Sequence, residues 1–329
     1  MSNDLPLAKR FYFTAIDGVA SFPEVMTAIR TAIADPAATP TSIGRAVERD
    51  VAFASRLLRI VNAPAVGLIR PCASVPHAVT LVGLKRIGMH AEKVASLAAL
   101  SQCASIAPDV TKRAAMEAAI ARTIATEIGL SPEQAFTAAL LADIGVIAII
   151  ATQPSWVGGA ISCGEERLRL GFDHAELGSE VLTRWNLPSP IPEVVRFHHD
   201  LEGAKANTTA EIARYVAVLQ AAEYLTPGVE GSAETESPSQ DEWDLIASHP
   251  SLQHLGIDAV RLARMWPSLV AGIEEESRGS SPPLALPQRE EELVRPPSPP
   301  KKSRRAFYVA MVAAVAIPAA IGFELFFRQ

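Results

Sequence analysis

Apolar side chains recur at helical spacing through most of the first 275 residues of the chain. The pattern is clear in segments 25–33, 43–60, 208–225 and 243–273, where hydrophobic positions return every three or four residues. Such spacing places the apolar positions of each segment on one helix face. The pattern therefore predicts an all-α fold.

The most informative stretch is 131–200, where polar residues interrupt apolar helices. A helix is predicted to begin at Ser131, since a serine followed by proline is typical of a helix N-terminus. Phe136, Leu140 and Asp143 then fall on one face of that helix. An unpaired buried carboxylate is unfavourable, so Asp143 needs a partner. It is either a structural carboxylate or a metal ligand.

Two further helices in this stretch contribute histidines. Asp173 and Glu176 have capping-box spacing, so we expect a helix to begin there with His174 in its first turn. The positive potential at a helix N-terminus disfavours protonation and favours a neutral imidazole. His198 and His199 follow a third helix. Adjacent side chains point about 100° apart, so we expect one ring in the core and one at the surface.

Several segments, in this order and spacing, resemble the HDOD family, the output-domain relatives of the HD and HD-GYP phosphohydrolases. Residues 57–63 are similar to a leucine-rich run of that family, and residues 78–83 to its alanine-to-leucine-glycine segment. In the second half, residues 140–145, 174–188 and 198–199 carry the resemblance.

The resemblance implies a two-lobed helical HDOD domain over residues 10–275. Its N-terminal helical lobe would span 10–105 and its HD-like lobe 108–275. Matched position by position, the HD aspartate is Asp143, whereas the histidine that precedes it in catalytic relatives is Ala142 here. The other matched positions are His174, His198, His199, a last acid at Glu223 and, for the early ligand, Glu117. A glycine-tyrosine-proline element is absent from the sequence.

Alanine at position 142 bears directly on catalysis. Two-metal sites hold cations about 3.5–4 Å apart through shared ligands, and a methyl group cannot replace an imidazole there. We therefore expect Asp143, His174, His198 and His199 to form a residual polar cluster with a structural or weak metal-binding role. The predicted function is regulatory and non-catalytic, through protein–protein contacts. Two alternatives stay open: a metal-dependent phosphohydrolase or cyclic-dinucleotide phosphodiesterase with a reduced ligand set, and a small-ligand sensor.

Composition narrows the choice of partners and cofactors. The net charge of −6 argues against nonspecific nucleic-acid binding as the main role, so we expect a signalling protein as the partner. No cofactor is expected, because the loop glycines match neither a dinucleotide nor a Walker fingerprint. Three scattered cysteines, without a paired spacing, fit a reducing compartment.

The composition changes sharply after residue 276. Residues 277–305 are rich in proline and serine and end in a basic cluster at 301–305, a pattern typical of an extended tether. An apolar run follows from Ala306 to Phe323, and its 18 residues would span about 27 Å as a helix. We predict a single transmembrane helix over 306–327. The preceding positive charges would keep the large domain in the cytoplasm, at the cell membrane.

The membrane prediction can be checked by cell fractionation. We expect the full-length chain in the membrane fraction and its release only by detergent, because the apolar run has no polar face. A version truncated after residue 276 serves as the soluble control. Recovery of the full-length chain in the soluble fraction, with detergent making no difference, would contradict the prediction.

Overall fold

The computed structural model describes residues 9, 11–13, 16, 23–83, 86–88, 108–153, 162–231 and 238–278. All regular elements among these residues are helices, which confirms the all-α prediction for them. The chain divides into two compact units, Met1–Ser281 and Pro282–Gln329. The second unit lies outside the described residues, as does most of the tether, so the transmembrane helix stays a prediction. The boundary between the two predicted lobes also falls outside them.

The first group of helices packs closely around α2 and α4. Among the described residues, this group comprises α1 (Pro23–Ala34), α2 (Pro40–Glu48), α3 (Val51–Val61), a 3₁₀ helix (Pro64–Val66) and α4 (Val75–Val82). Helix α2 contacts α1, α3 and α4, and α3 also packs on α4. The packing buries Ile43, Val47 and Leu58 completely. This accounts for the apolar spacing seen in the sequence.

Asn62 is the C-cap residue of α3. Asparagine tolerates the left-handed region, yet the φ of Asn62 is −87°. Its side-chain amide instead bonds the backbone of Cys72 in both directions, donating over 2.9 Å and accepting over 2.7 Å. The residue therefore ties the end of α3 to the segment that leads into α4.

The second group of helices is arranged around one long helix, α5. The described elements are α5 (Pro108–Ile128), α6 (Pro132–Leu140), α7 (Ile144–Thr152), α8 (Cys163–Leu170), α9 (His174–Arg184), α10 (Ile191–Phe197), α11 (Leu201–Asn207), α12 (Ala210–Gly231), α13 (Gln240–Ala247), α14 (Pro250–His254) and α15 (Ala259–Arg278). Helix α5 contacts α6, α12 and α15, and also α3 of the first group. Its buried face is rich in alanine, which lets neighbouring helices approach closely.

A buried ion pair joins the two groups of helices. The carboxylate of Glu48 on α2 has no exposed surface and accepts from Nη2 of Arg122 on α5 over 2.8 Å. The guanidinium of Arg122 also lies 3.6 Å from the centre of the Phe136 ring. Each partner has one further ion pair, Glu48 with Arg45 and Arg122 with Glu133, so the charges form a small network across the two groups. The pair therefore fixes α5 against the N-terminal helices.

The single helix predicted across Asp143 is in fact two. Helix α6 ends at Leu140, residues 141–143 form a turn, and α7 begins at Ile144 with Asp143 as its N-cap. Hydrophobic spacing missed this break, although aspartate is a preferred N-cap residue. The side chain of Asp143 makes no capping hydrogen bond, so its carboxylate is available elsewhere.

The stretch 132–152 also has the length and apolar composition of a membrane span. Among the described residues it is the one such stretch, and 72% of its most apolar window is buried inside the domain. The burial and the break at residues 141–143 indicate a core element. The predicted span at 306–327 lies outside the described residues.

Gly145 sets the distance between α7 and α9. A Cβ at this position would overlap the carbonyl oxygen of His174 and lie 2.8 Å from its carbonyl carbon. At Gly145 the backbone of α7 therefore meets the backbone of α9 with no side chain between them. This contact brings Asp143 and His174 side by side.

We predict that Gly145→Ala destabilises the protein by about 3 kcal/mol, because the added methyl group must push backbone apart. Gly164→Ala is the matched control, since Gly164 is also the second residue of its helix and has only Ser162 Oγ within 4 Å, at 3.8 Å. The control should be neutral or stabilising by about 0.5 kcal/mol. Urea unfolding of both variants tests this, and equal unfolding midpoints would contradict it.

Candidate metal centre

Asp143, His174, His198 and His199 converge on one point, and we call these four residues the candidate metal centre. Nε2 of His174 lies 3.4 Å from Nε2 of His198 and 3.1 Å from Nε2 of His199. Oδ1 of Asp143 lies 3.7 Å and 3.8 Å from the first two nitrogens. All four donor atoms fall within 4.8 Å of one another. The fold thus brings together every site residue predicted from the sequence.

Helix ends supply all four side chains. Asp143 precedes α7, His174 is the first residue of α9, and His198 is the C-cap of α10. As predicted, Asp173 caps α9, with its carboxylate accepting from the Glu176 amide over 2.7 Å. Donors placed at helix ends can approach one another more closely than side chains in mid-helix.

The adjacent histidines both face the centre, contrary to the expectation that one would point away. His198 is buried and His199 exposed, as expected. Their rings nevertheless lie 3.9 Å apart, and both direct Nε2 toward His174. The reason is that α10 ends at Phe197. The pair lies in the turn beyond the helix, where the spacing of 100° per residue no longer applies.

Hydrogen bonds at Nδ1, on the side facing away from the centre, determine the tautomers of His174 and His198. Nδ1 of His174 lies 2.8 Å from Oε2 of Glu166, and Nδ1 of His198 lies 2.6 Å from the carbonyl oxygen of Val195. Both oxygens can only accept, so in the neutral rings each Nδ1 carries the proton and donates. The Nε2 lone pairs of His174 and His198 then face the centre. Their repulsion favours a cation or a shared proton between them.

The donor set fits one metal ion. At metal–nitrogen distances of about 2.0–2.1 Å, tetrahedral geometry separates donor atoms by about 3.4 Å. Four of the six separations, at 3.1–3.8 Å, bracket that value, and all six lie within 4.8 Å. Imidazole and carboxylate together suit zinc, iron or a similar divalent ion. The hydrogen bonds at Nδ1 are those that usually orient metal-binding histidines.

A second ion on the side of Glu117 and Glu223 would meet an arginine. Ala142 contributes a methyl group where an HD site would have an imidazole. Two carboxylates remain nearby, but Arg113 engages both. Its Nε lies 2.6 Å from Oε1 of Glu117, and its Nη2 lies 3.6 Å from Oε1 of Glu223. The far oxygen of Glu223 lies 3.7 Å from Nδ1 of His199.

The pKa of His174 shifts in the direction opposite to the one expected from the helix N-terminus. Burial lowers its pKa, but the hydrogen bond with Glu166 and the charges of Asp143, Glu166 and Asp173 raise the pKa above its ordinary value. The helix-end potential is therefore outweighed by carboxylates. A proton would compete with a metal ion at this ring.

The pKa of His198 shifts in the opposite direction, downward. Burial and the neighbouring His199 lower the pKa of His198 to about 3, although Asp143 opposes the shift. The ring is thus neutral at physiological pH and keeps its Nε2 lone pair toward the centre.

Glu166 is the functional residue that the sequence reasoning missed. Its carboxylate is buried and accepts from the backbone amide of His174 over 2.7 Å as well as from the ring. It lies on α8, whose N-terminus is marked by a capping box of Ser162 and Glu165. That spacing was readable in the sequence and would have predicted the helix. It would not have identified the histidine that Glu166 holds.

Glu117 is a second buried acid at the edge of the centre. Burial raises its pKa to about 7, against the opposing effect of Arg113, and the charges of Asp143 and Glu223 add to the rise. The side chain is 12% exposed. At neutral pH this carboxyl group is therefore partly protonated.

Comparison with known proteins agrees with this arrangement. The HDOD domain family model matches residues 19–201, which is more than half of the chain. The MmoQ response regulator of Methylococcus capsulatus str. Bath has a similar structure, with a TM-score of 0.57 and 23% identity over 76% of this chain and 98% of that one. A virulence factor of Campylobacter jejuni is also similar in structure. Its TM-score is 0.58, with 14% identity, and the match covers 81% of this chain and 97% of that one. At these identities the likeness is one of fold.

A relative by sequence is an uncharacterized protein of Treponema pallidum (strain Nichols). It is 26% identical over 203 residues, which cover 57% of this chain and 39% of that protein. The match therefore spans about two fifths of the relative's length.

We predict that Glu117→Gln stabilises the metal-free protein more at pH 8 than at pH 5. The folded pKa lies above the unfolded value, so wild-type stability is lost as pH rises from about 4.5 through 7. Glutamine keeps an acceptor for Arg113 and carries no charge to desolvate. The gain at pH 8 should approach about 3 kcal/mol at 1.4 kcal/mol per pKa unit.

The measurement is urea unfolding at both pH values after chelation of metals. Glu127→Gln is the control on the same helix, because Arg261 and Arg264 lower the pKa of Glu127. That variant should lose stability at pH 8. Equal effects of Glu117→Gln at the two pH values would contradict the assignment.

Proposed function

Because the chain belongs to the HDOD domain family, we propose that it is a non-catalytic signalling protein whose candidate metal centre holds one structural ion. HDOD domains are related to HD phosphohydrolases, and this chain keeps the HD aspartate without its histidine. The output would be a surface offered to another protein. The observation that carries the proposal is the set of four protein donors around one point.

A complete protein ligand set argues against hydrolysis. Structural zinc sites have four protein ligands, whereas catalytic sites keep a position open for water or substrate. Three imidazoles and one carboxylate would fill the coordination of a tetrahedral ion. When bound, the ion would neutralise the converging lone pairs and join the ends of α7, α9 and α10. Its role would be to stabilise this arrangement.

One observation favours the enzymatic alternative. The side chain of His199 is 37% exposed, so this ligand could leave the ion and open a position for water. Even so, a phosphodiester is an anion, and two-metal hydrolases use two cations to balance its charge. Neither Ala142 nor the carboxylates engaged by Arg113 support a second cation. A phosphohydrolase or cyclic-dinucleotide phosphodiesterase is therefore the weaker reading.

The location of the protein is part of the proposal. We assign the segment 306–327 as a single membrane span and residues 277–305 as its tether, with the helical domain on the cytoplasmic side. A signalling partner would then meet the domain at the membrane surface. The negative net charge supports a protein partner over a nucleic acid.

We expect the detergent-purified chain to bind one zinc, iron or manganese ion. The His174→Ala/His198→Ala double variant should lose that ion, because two of four donors are removed. Isothermal titration calorimetry and elemental analysis measure the bound ion in the wild type and in the double variant. The double variant of His77 and His254, which lie outside the centre, should bind as the wild type does.

The same preparation should hydrolyse neither cyclic dinucleotides nor a generic phosphodiester with manganese present. Turnover that disappears in Asp143→Ala would overturn the non-catalytic proposal, as would two ions per wild-type chain.

A further inference from the structure

We propose that Cys163, Glu166 and His174 form a second metal site, for a thiophilic ion, and that this site and the candidate metal centre use His174 alternately. We call these three residues the thiol site. The thiol site does not depend on the proposed function, but the alternation rests on an ion at the candidate metal centre. The chain would then hold one ion, in a position that depends on the chemistry of that ion.

Three types of donor converge at the thiol site. The sulfur of Cys163, a carboxylate oxygen of Glu166 and a ring nitrogen of His174 lie within 4.8 Å of one another. Nδ1 is the ring nitrogen that faces Glu166, at 2.8 Å from Oε2. Thiolate, carboxylate and imidazole are all ligands of zinc and related ions. The sulfur adds a preference for soft ions that the candidate metal centre lacks.

Helices α8 and α9 bring these donors together. Cys163 is the first residue of α8 and Glu166 follows one turn later, so both side chains lie on one face of this helix. His174 begins α9 after residues 171–173, and its backbone amide donates to Glu166 over 2.7 Å. Glu166 thereby holds the start of α9 against α8. The donors are therefore positioned by backbone contacts before an ion binds.

The thiol of Cys163 is suited to metal binding rather than to covalent chemistry. Burial and the charges of Asp173 and Glu166 raise the pKa of this thiol to about 11, with Arg167 opposing the shift. A thiol with a raised pKa is protonated at neutral pH and is a poor nucleophile. A metal ion displaces the thiol proton, and the same two carboxylates attract it.

Orientation of His174 alone does not account for this arrangement. A carboxylate that only fixes a metal-binding histidine needs no sulfur beside it, yet Cys163 lies within reach of both groups. The thiol is half-buried, so it remains accessible from solvent. Donors around one ion are about 3.4 Å apart. Nδ1 and Oε2 would therefore separate from their hydrogen-bonded distance of 2.8 Å as the ion replaces the proton between them.

A neutral His174 ring cannot serve both sites at once, because one nitrogen has the lone pair and the other carries the proton. When the lone pair of Nε2 faces the candidate metal centre, Nδ1 donates to Glu166. When Nδ1 binds an ion at the thiol site, the proton is carried on Nε2. That proton points toward Nε2 of His198 and of His199, which lie 3.4 Å and 3.1 Å away. The candidate metal centre then loses one of its ligands.

Cadmium is the probe for the thiol site, because it is thiophilic and its bond to a thiolate gives a charge-transfer band in the ultraviolet. The detergent-purified full-length chain with Cys72→Ser and Cys103→Ser keeps Cys163 as its single cysteine. This single-cysteine chain should develop the band with one equivalent of cadmium, and adding Cys163→Ser should abolish it. Circular dichroism verifies folding. If the single-cysteine chain does not fold, Cys163→Ser and Cys72→Ser are compared separately, and the first alone should reduce the band.

Two matched pairs of variants locate the ion. Glu166→Gln should weaken cadmium binding at least about tenfold, whereas Glu165→Gln should leave it unchanged, because glutamine also serves in the capping box that Glu165 forms. His174→Ala should reduce the band at one equivalent of cadmium, since the thiol site loses a ligand. His198→Ala should keep the full band, because His198 belongs to the candidate metal centre and not to the thiol site.

Displacement of manganese tests the alternation. Manganese does not favour sulfur, so it should occupy the candidate metal centre of the single-cysteine chain. One equivalent of cadmium should form the full band and release the manganese, which electron paramagnetic resonance detects as the free ion. With the full band formed, no cadmium remains to displace manganese directly.

The outcomes separate this inference from the proposed function. A folded single-cysteine chain without the band would overturn the thiol site. Manganese that stays bound while the full band forms would overturn the alternate use of His174. A wild-type chain that binds no manganese, zinc or iron at the candidate metal centre would overturn the proposed function and the alternation. An intact cadmium band in the single-cysteine chain would still support the thiol site.

Discussion

The candidate metal centre depends on three imidazole rings that the fold holds facing one another. Hydrogen bonds from Nδ1 to Glu166 and to the Val195 carbonyl direct the lone pairs of His174 and His198 inward, toward His199. Such an arrangement is repulsive by itself. Two features impose it: the backbone contact at Gly145 and the ending of α10 before the histidine pair. A cation or a proton at the centre is the natural counterpart of this geometry.

The charges around the centre determine what it attracts. Asp143, Glu166 and Glu223 each lie within 4 Å of one of the rings, and Arg113 contacts both Glu223 and the buried Glu117. An acidic, partly buried site attracts cations and repels anions. A phosphate-containing substrate would need additional positive charge to enter. The electrostatics therefore agree with metal retention more readily than with phosphodiester hydrolysis.

The sequence predicted which residues form the candidate metal centre, but it did not predict how they are arranged. Family resemblance identified the four donors, and capping rules located the start of α9 at Asp173. The turn at residues 141–143 escaped prediction because apolar periodicity continues across it. Glu166 and Arg113 escaped because each acts on a residue that is distant along the chain or on another helix. Their roles follow from packing, which a single sequence does not display.

Helix α9 connects the centre to the N-terminal helices. It begins at His174 and ends at Arg184, so its 11 residues span about 16 Å. Just beyond its end, the side chain of Asn186 donates to the carbonyl oxygen of Asn62 over 3.4 Å, and Arg59 lies 5.7 Å from the Trp185 ring centre. An ion bound at the start of α9 would therefore also restrain the end of α3. Helix α9 is thus a rigid link between the candidate metal centre and the N-terminal helices.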